Sequence, residues 1–149
     1  MKKPTQTGGF FISLNILKFY IIRTMITITK GATNSVIMTL TEKSYLPNPV
    51  YLFSLTNNSD NLTKLFIMPD TTSYVRRYNQ FDLIETSSED LSNGRVELDY
   101  GWGKYEVYEA ITATLSISGT TGRILEEGKY FVSGYPATFN NNDINDIYL

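Results

Sequence analysis

Gly101-Trp102-Gly103-Lys104-Tyr105-Glu106-Val107-Tyr108-Glu109 decides the fold. Two glycines set a bend. The residues after them alternate, with Tyr105 and Val107 on one face and Lys104 and Glu106 on the other. A period of two is the mark of a half-buried strand. The stretch therefore reads as a strand entering the middle of a β-sandwich core, and the rest of the chain can be laid out on either side of it.

On the N-terminal side, Met25–Thr29 reads as a short strand ended by a turn at Lys30-Gly31. Ser35–Thr41 sets Val36, Met38 and Leu40 against Ile37, Thr39 and Thr41, a strand covered in part on both faces. Pro47 and Pro49 put the next residues in a loop, because neither proline can sit in a central strand. Val50–Thr56 follows with Tyr51, Phe53 and Leu55 on one face. The polar run Asn57-Asn58-Ser59-Asp60-Asn61 is a hairpin turn into Leu62–Met68. Thr71–Arg77 is a loop or short helical turn, and Tyr78–Glu85 is a strand carrying Phe81 and Leu83. Asn93-Gly94 is a strong turn signal. Arg95–Tyr100 places Val96, Leu98 and Tyr100 inward.

On the C-terminal side, Ala110–Gly119 alternates Ile111, Ala113, Leu115 and Ile117. It reads as an edge strand or as a long loop with strand character. Arg123–Glu127 and Lys129–Ser133 make a closing strand or hairpin around Gly128. No long segment has a helical period, and no internal repeat is visible. The spacing of strands and turns predicts an all-β, immunoglobulin-like antiparallel sandwich of about seven to nine strands. It spans residues 25–134, with residues 1–24 as an N-terminal extension or arm and residues 135–149 as a polar tail. Gly103-x-Tyr105-x-Val107 resembles the tyrosine corner of such sandwiches, with Val107 where antibody domains carry Cys and Gly101 where Asp is usual.

Composition limits the chemistry. The 149 residues hold no Cys and no His, which excludes disulfides, thiol nucleophiles, histidine bases and the usual zinc ligand sets. The absence of cysteine fits a reducing compartment. Hydrophobic residues at 42% and charged residues at 19% suit one globular domain, and 11 Tyr with 8 Phe lean towards strands. The net charge of −2 hides an asymmetry: residues 1–24 carry Lys2, Lys3, Lys18 and Arg23 and no acid. The remaining chain has 9 basic and 15 acidic groups, a net of −6. Such a body argues against a nucleic-acid partner.

Residues 1–24 admit several readings. Lys2 and Lys3 before an apolar run suit a signal peptide, but Arg23-Thr24-Met25 is no cleavage site. Lys18 interrupts a membrane span, so no membrane partner is expected. The segment is an upstream extension ahead of a start at Met25, or a basic, apolar arm whose Phe10, Phe11 and Phe19 dock on a partner.

Few constellations suggest a site. Glu97 and Asp99 share a strand face that Glu106 could oppose, and paired carboxylates about 5–10 Å apart can hydrolyse glycosides. The plainer reading is the solvent face of an antiparallel sheet. Asp143 and Asp146 among asparagines could bind calcium, but the run has no EF-hand spacing and reads as a solvated tail. No catalytic, cofactor or metal residues are assigned. Aromatics at bends, on outer faces or in the tail are better candidates for partner contacts: Trp102, Tyr108, Tyr135 and Tyr148, with the terminal Leu149.

Ile28-Thr29-Lys30-Gly31, Leu40-Thr41-Glu42-Lys43, Asn48-Pro49-Val50-Tyr51-Leu52-Phe53 and Thr56-Asn57 open a recognisable series. Arg77-Tyr78-Asn79-Gln80-Phe81, Gly103 to Glu109, and Gly128-Lys129-Tyr130 continue it in order. In order and spacing the body resembles small immunoglobulin-like structural proteins of tailed bacteriophages, particularly crAss-like phages and other phages of Bacteroidota hosts. The resemblance implies a virion component, an auxiliary or decoration protein carried in multiple copies on the major capsid protein or another particle protein. It implies no enzyme activity and no cofactor. The alternative is a carbohydrate- or cell-surface-binding module, with Trp102 and exposed tyrosines stacking on surface glycans.

Overall fold

The computed structural model describes residues 25–134. Eight strands form two sheets packed as an all-β sandwich. They are β1 (Met25–Thr29), β2 (Thr33–Met38), β3 (Val50–Asn57), β4 (Thr63–Ile67), β5 (Asn79–Glu85), β6 (Arg95–Val96), β7 (Gly101–Ala110) and β8 (Ile124–Ser133). The larger sheet has the order β1-β8-β7-β3-β4 and the smaller β2-β5-β6. The strand read first from the sequence, β7, lies at the centre of the larger sheet. Its grouping with β8 and β3, and the pairing of β2 with β5, is that of immunoglobulin-like sandwiches. Most neighbours are antiparallel. Two pairings, β1 on β8 and β5 on β6, are parallel, which residue alternation does not reveal.

Tyr51, Phe53 and Leu55 of β3 and Tyr105 and Val107 of β7 point into the space between the sheets, where Phe66, Phe81 and Tyr130 meet them. Phe53 lies edge-on to Phe81, with ring centroids 5.0 Å apart, and stacks on Phe66 at 5.9 Å. Each such buried side chain stabilises the fold by about 1.5–3 kcal/mol. The hydroxyl of Tyr105 donates across the sheet to Glu126 of β8, not to upstream backbone, so it does not act as a tyrosine corner. The two glycines of the opening stretch have separate reasons. Gly101 has φ +107°, a region that disfavours side chains, and so makes the bend. Gly103 lies under the Tyr130 ring, and a Cβ there would run into that ring and the Thr56 carbonyl oxygen.

Three segments end well short of expectation, two of them because distant side chains intercept the backbone amides. β2 stops at Met38, because Asn79 Oδ1 accepts from the N–H groups of Leu40 and Thr41. β6 stops at Val96, because Glu89 and Glu85 accept from the N–H groups of Glu97 and Leu98. Val96 and Leu98 are buried as expected, but Tyr100 turns outward. Ala110–Gly119 is no edge strand beyond Ala110. Its hydroxyls and carbonyls bond locally, Ser116 N–H to Thr114 Oγ1 and Gly119 N–H to Ser116 O, around a 3-10 turn at Ile117–Gly119.

Candidate functional site

The long connections gather at one end of the sandwich. Met38 of β2 pairs with Asn79 of β5, Leu52 of β3 with Ile67 of β4, and Val50 with Ala110 of β7. The loops 39–49, 68–78 and 111–123 therefore leave the sheets side by side. They hold many of the large apolar side chains that face solvent: Tyr45 (83% exposed), Tyr74, Val75, Ile111 (74%), Leu115 and Ile117. Loops on a rigid scaffold are where binding residues concentrate, and exposed apolar residues grouped together mark contact surfaces.

Two buried polar residues hold these loops. Asn79 accepts from Leu40 and Thr41 through Oδ1 and donates through Nδ2 to Thr41 Oγ1 and Asp70 Oδ2. Asp70 Oδ1 in turn accepts from the N–H groups of Thr72 and Gln80, so the loops 39–49 and 68–78 share one network. Glu109, 2% exposed, accepts from Ser44 Oγ at 2.6 Å and Tyr45 N–H at 3.2 Å. Its other oxygen lies 3.8 Å from Arg123 Nη1, and the Arg123 guanidinium lies 3.5 Å over the Tyr45 ring. A buried carboxylate is costly unless bonded and paired. Glu109 meets that condition only by joining loop 39–49 to loop 111–123.

Between the loops runs an open groove of about 380 Å³. Pro49, Val50, Ile67, Met68, Pro69 and Ala113 line it, with Tyr51, Asp70, Ser92 and Asn93 as its polar members. Burial is the main cause that pushes the Tyr51 hydroxyl above its ordinary pKa, so it stays protonated, a donor and not a base. An open groove with an apolar lining and a few polar groups suits contact with another surface.

The residues singled out in the sequence lie elsewhere. Trp102 is 47% exposed on the outer face of the larger sheet, its ring 4.8 Å from that of Phe131. Tyr108 is not an exposed anchor. It is 7% exposed, packed with Leu52 and Ile67 on that same face, and its hydroxyl donates to Glu106 at 2.7 Å. Burial, then Glu106, pushes its pKa up to about 12. Phe10, Phe11, Phe19, Tyr135, Tyr148, Leu149 and the Asp143/Asp146 run lie outside the described residues.

The three carboxylates Glu97, Asp99 and Glu106 do not converge. Glu97 and Asp99 border Leu55 and Tyr130 of the core side, while Glu106 points to the outer face beside Tyr108. Among the described residues no group of three or more Asp or Glu could hold a metal ion. Sequence reasoning missed the loop end. Its signal was there, in apolar residues within segments too long for tight turns. No family model, curated protein or solved structure matches the chain.

Proposed function

We propose that the chain is a non-enzymatic structural protein of a tailed-phage particle. It is carried in multiple copies and attached by its loop end to the major capsid protein or another particle protein. The observation that carries this reading is the set of exposed apolar side chains on the loops 39–49, 68–78 and 111–123, fixed in place by Asn79 and Glu109. Rigid apolar anchors lose little entropy on binding, which favours a stable protein contact. The order of motifs along residues 25–134, resembling small phage structural proteins, supplies the kind of partner. The test is mass spectrometry of gradient-purified particles. The reading predicts that the chain bands with particles at a fixed ratio to the major capsid protein. A chain found only in the soluble fraction overturns it.

A second reading is carbohydrate binding at the outer sheet face. It is favoured by the half-exposed Trp102 beside Phe131. It predicts a glycan-array signal for the wild type that Trp102→Ala abolishes. A wild type that gives no signal removes it.

A further inference from the structure

The outer face of the larger sheet carries its side chains in rows across the strands. Trp102 of β7 lies opposite Phe131 of β8. One step along the strands, Lys104 lies opposite Lys129, and the next step places Glu106 opposite Glu127. Beyond them Tyr108 sits by Ile124 of β8 and Leu52 of β3. Like charges directly opposite each other destabilise a sheet, and this face has two such pairs side by side. Among the described residues none of the four makes an ion pair. Lys104, Lys129 and Glu127 are exposed and Glu106 is half-buried, around a shallow groove floored by Tyr105 and Gly128.

The sequence of rows is aromatic, basic, acidic, apolar. That order is self-complementary under one operation only. A two-fold axis in the plane of the sheet, perpendicular to the strands and between the Lys and Glu rows, reverses the order on a facing copy. Lys104 then meets Glu106 of the second copy and Lys129 meets its Glu127, each contact occurring twice. The Trp102 and Phe131 row covers the second copy's Tyr108 and Ile124. A two-fold along the strands would instead set lysine on lysine. We infer that this face pairs with the same face of a second copy of the chain about the perpendicular axis. Such an isologous contact closes at two copies.

β1 reaches only the Trp102 and Lys104 rows, and β3 and β4 miss the Trp102 row. With strands about 4.8 Å apart and rows about 6.7 Å apart the plane is roughly 510 Å², below the roughly 800 Å² per partner of a standard interface, so the pairing is a weak one in which the charge rows matter. The loop end stays free in this arrangement, so two copies would present two loop ends. Trp102 would be covered, so this pairing and sugar stacking at Trp102 exclude each other.

The experiment is sedimentation of the full chain over a concentration series. The wild type is expected to reach twice the chain mass, with the dimer weakening as salt is raised, since charge rows are screened. Lys104→Glu with Lys129→Glu makes the face wholly acidic and should sediment as monomer. Glu127→Lys alone, an exposed change that spares the Tyr108–Glu106 bond, should weaken self-association. Mixed with the double variant, it should form a mixed dimer. Zero-length carbodiimide cross-linking should join Lys129 to Glu127 between copies labelled with different isotopes. A wild type that stays monomeric overturns the inference. So does a dimer that survives the lysine reversals, or a mixture that forms no mixed dimer.

Discussion

The two ends of the sandwich are built on opposite plans. At one end the connections are short: three residues at 30–32, five at 58–62 and four at 97–100. Glu85 binds them. Its carboxylate accepts from Gly31 N–H at 2.6 Å, Leu98 N–H at 3.1 Å and Lys30 Nζ at 3.3 Å, while Lys30 also donates to Leu98 O and lies over the Tyr100 ring. At the other end the connections run to eleven or thirteen residues and turn apolar side chains to solvent. Buried polar groups appear at both ends, but with different work. Glu85 fastens backbone to backbone and finishes the fold. Asn79 and Glu109 hold in place loops whose tips contribute little to the core. The contrast teaches where stability and contact are separated in this molecule.

The largest effect should come from the short-loop end. Gly103→Ala drives a Cβ into the Tyr130 ring and the Thr56 carbonyl. Overpacking of this kind costs about 3 kcal/mol, and chemical denaturation should show a correspondingly lower midpoint. Next comes Glu85→Gln, which leaves Lys30 without its charge partner at a cost of about 2–3 kcal/mol. This substitution also has a pH signature. Burial opposes the Glu85 charge, but bonds from Gly31, Leu98 and Lys30 outweigh it and hold its folded pKa below the ordinary value. The stability it contributes is thus present above the unfolded pKa and lost as pH falls through the lowered folded one. Denaturation midpoints measured on acidification should fall less steeply in Glu85→Gln than in the wild type.

At the long-loop end, Glu109→Gln should cost about 2 kcal/mol and raise amide exchange in loops 39–49 and 111–123, while β3 and β7 stay protected. Equal loss of protection in the central strands would erase the distinction between the ends. Smallest of all, Ile111→Ser should change stability by less than about 0.5 kcal/mol and still weaken attachment to particles.

Much of the scaffold was legible in the sequence because alternation and turn chemistry agreed. β3 and β7 have the expected inward residues, Gly31 and Gly94 take the positive φ that their turns predict, and Asn61 does so in the hairpin. What was not legible is where amides find partners far away in sequence. Asn79 cutting short β2 and Glu85 cutting short β6 are contacts between distant residues that no local pattern encodes. The same limit hid the candidate site. Ile111, Leu115 and Ile117 have the spacing of a strand, yet local hydroxyl bonds hold them in a loop, and only the sheet pairing shows that three loops share one end. Tyr108 shows the reverse error: it lies on an outer face as read, but its neighbours Leu52 and Ile67 cover it.

The central claim is that the loop end makes the contact. The most direct measurement is binding of the purified chain to particles stripped of it, comparing the wild type with the combined Ile111→Ser, Leu115→Ser and Ile117→Ser variant at matched folded stability. The variant should lose at least about tenfold in affinity, the equivalent of about 1.4 kcal/mol, while Ile37→Ser, an exposed change on β2 of the smaller sheet, keeps wild-type attachment. A triple variant that binds with wild-type affinity and stoichiometry would contradict that claim.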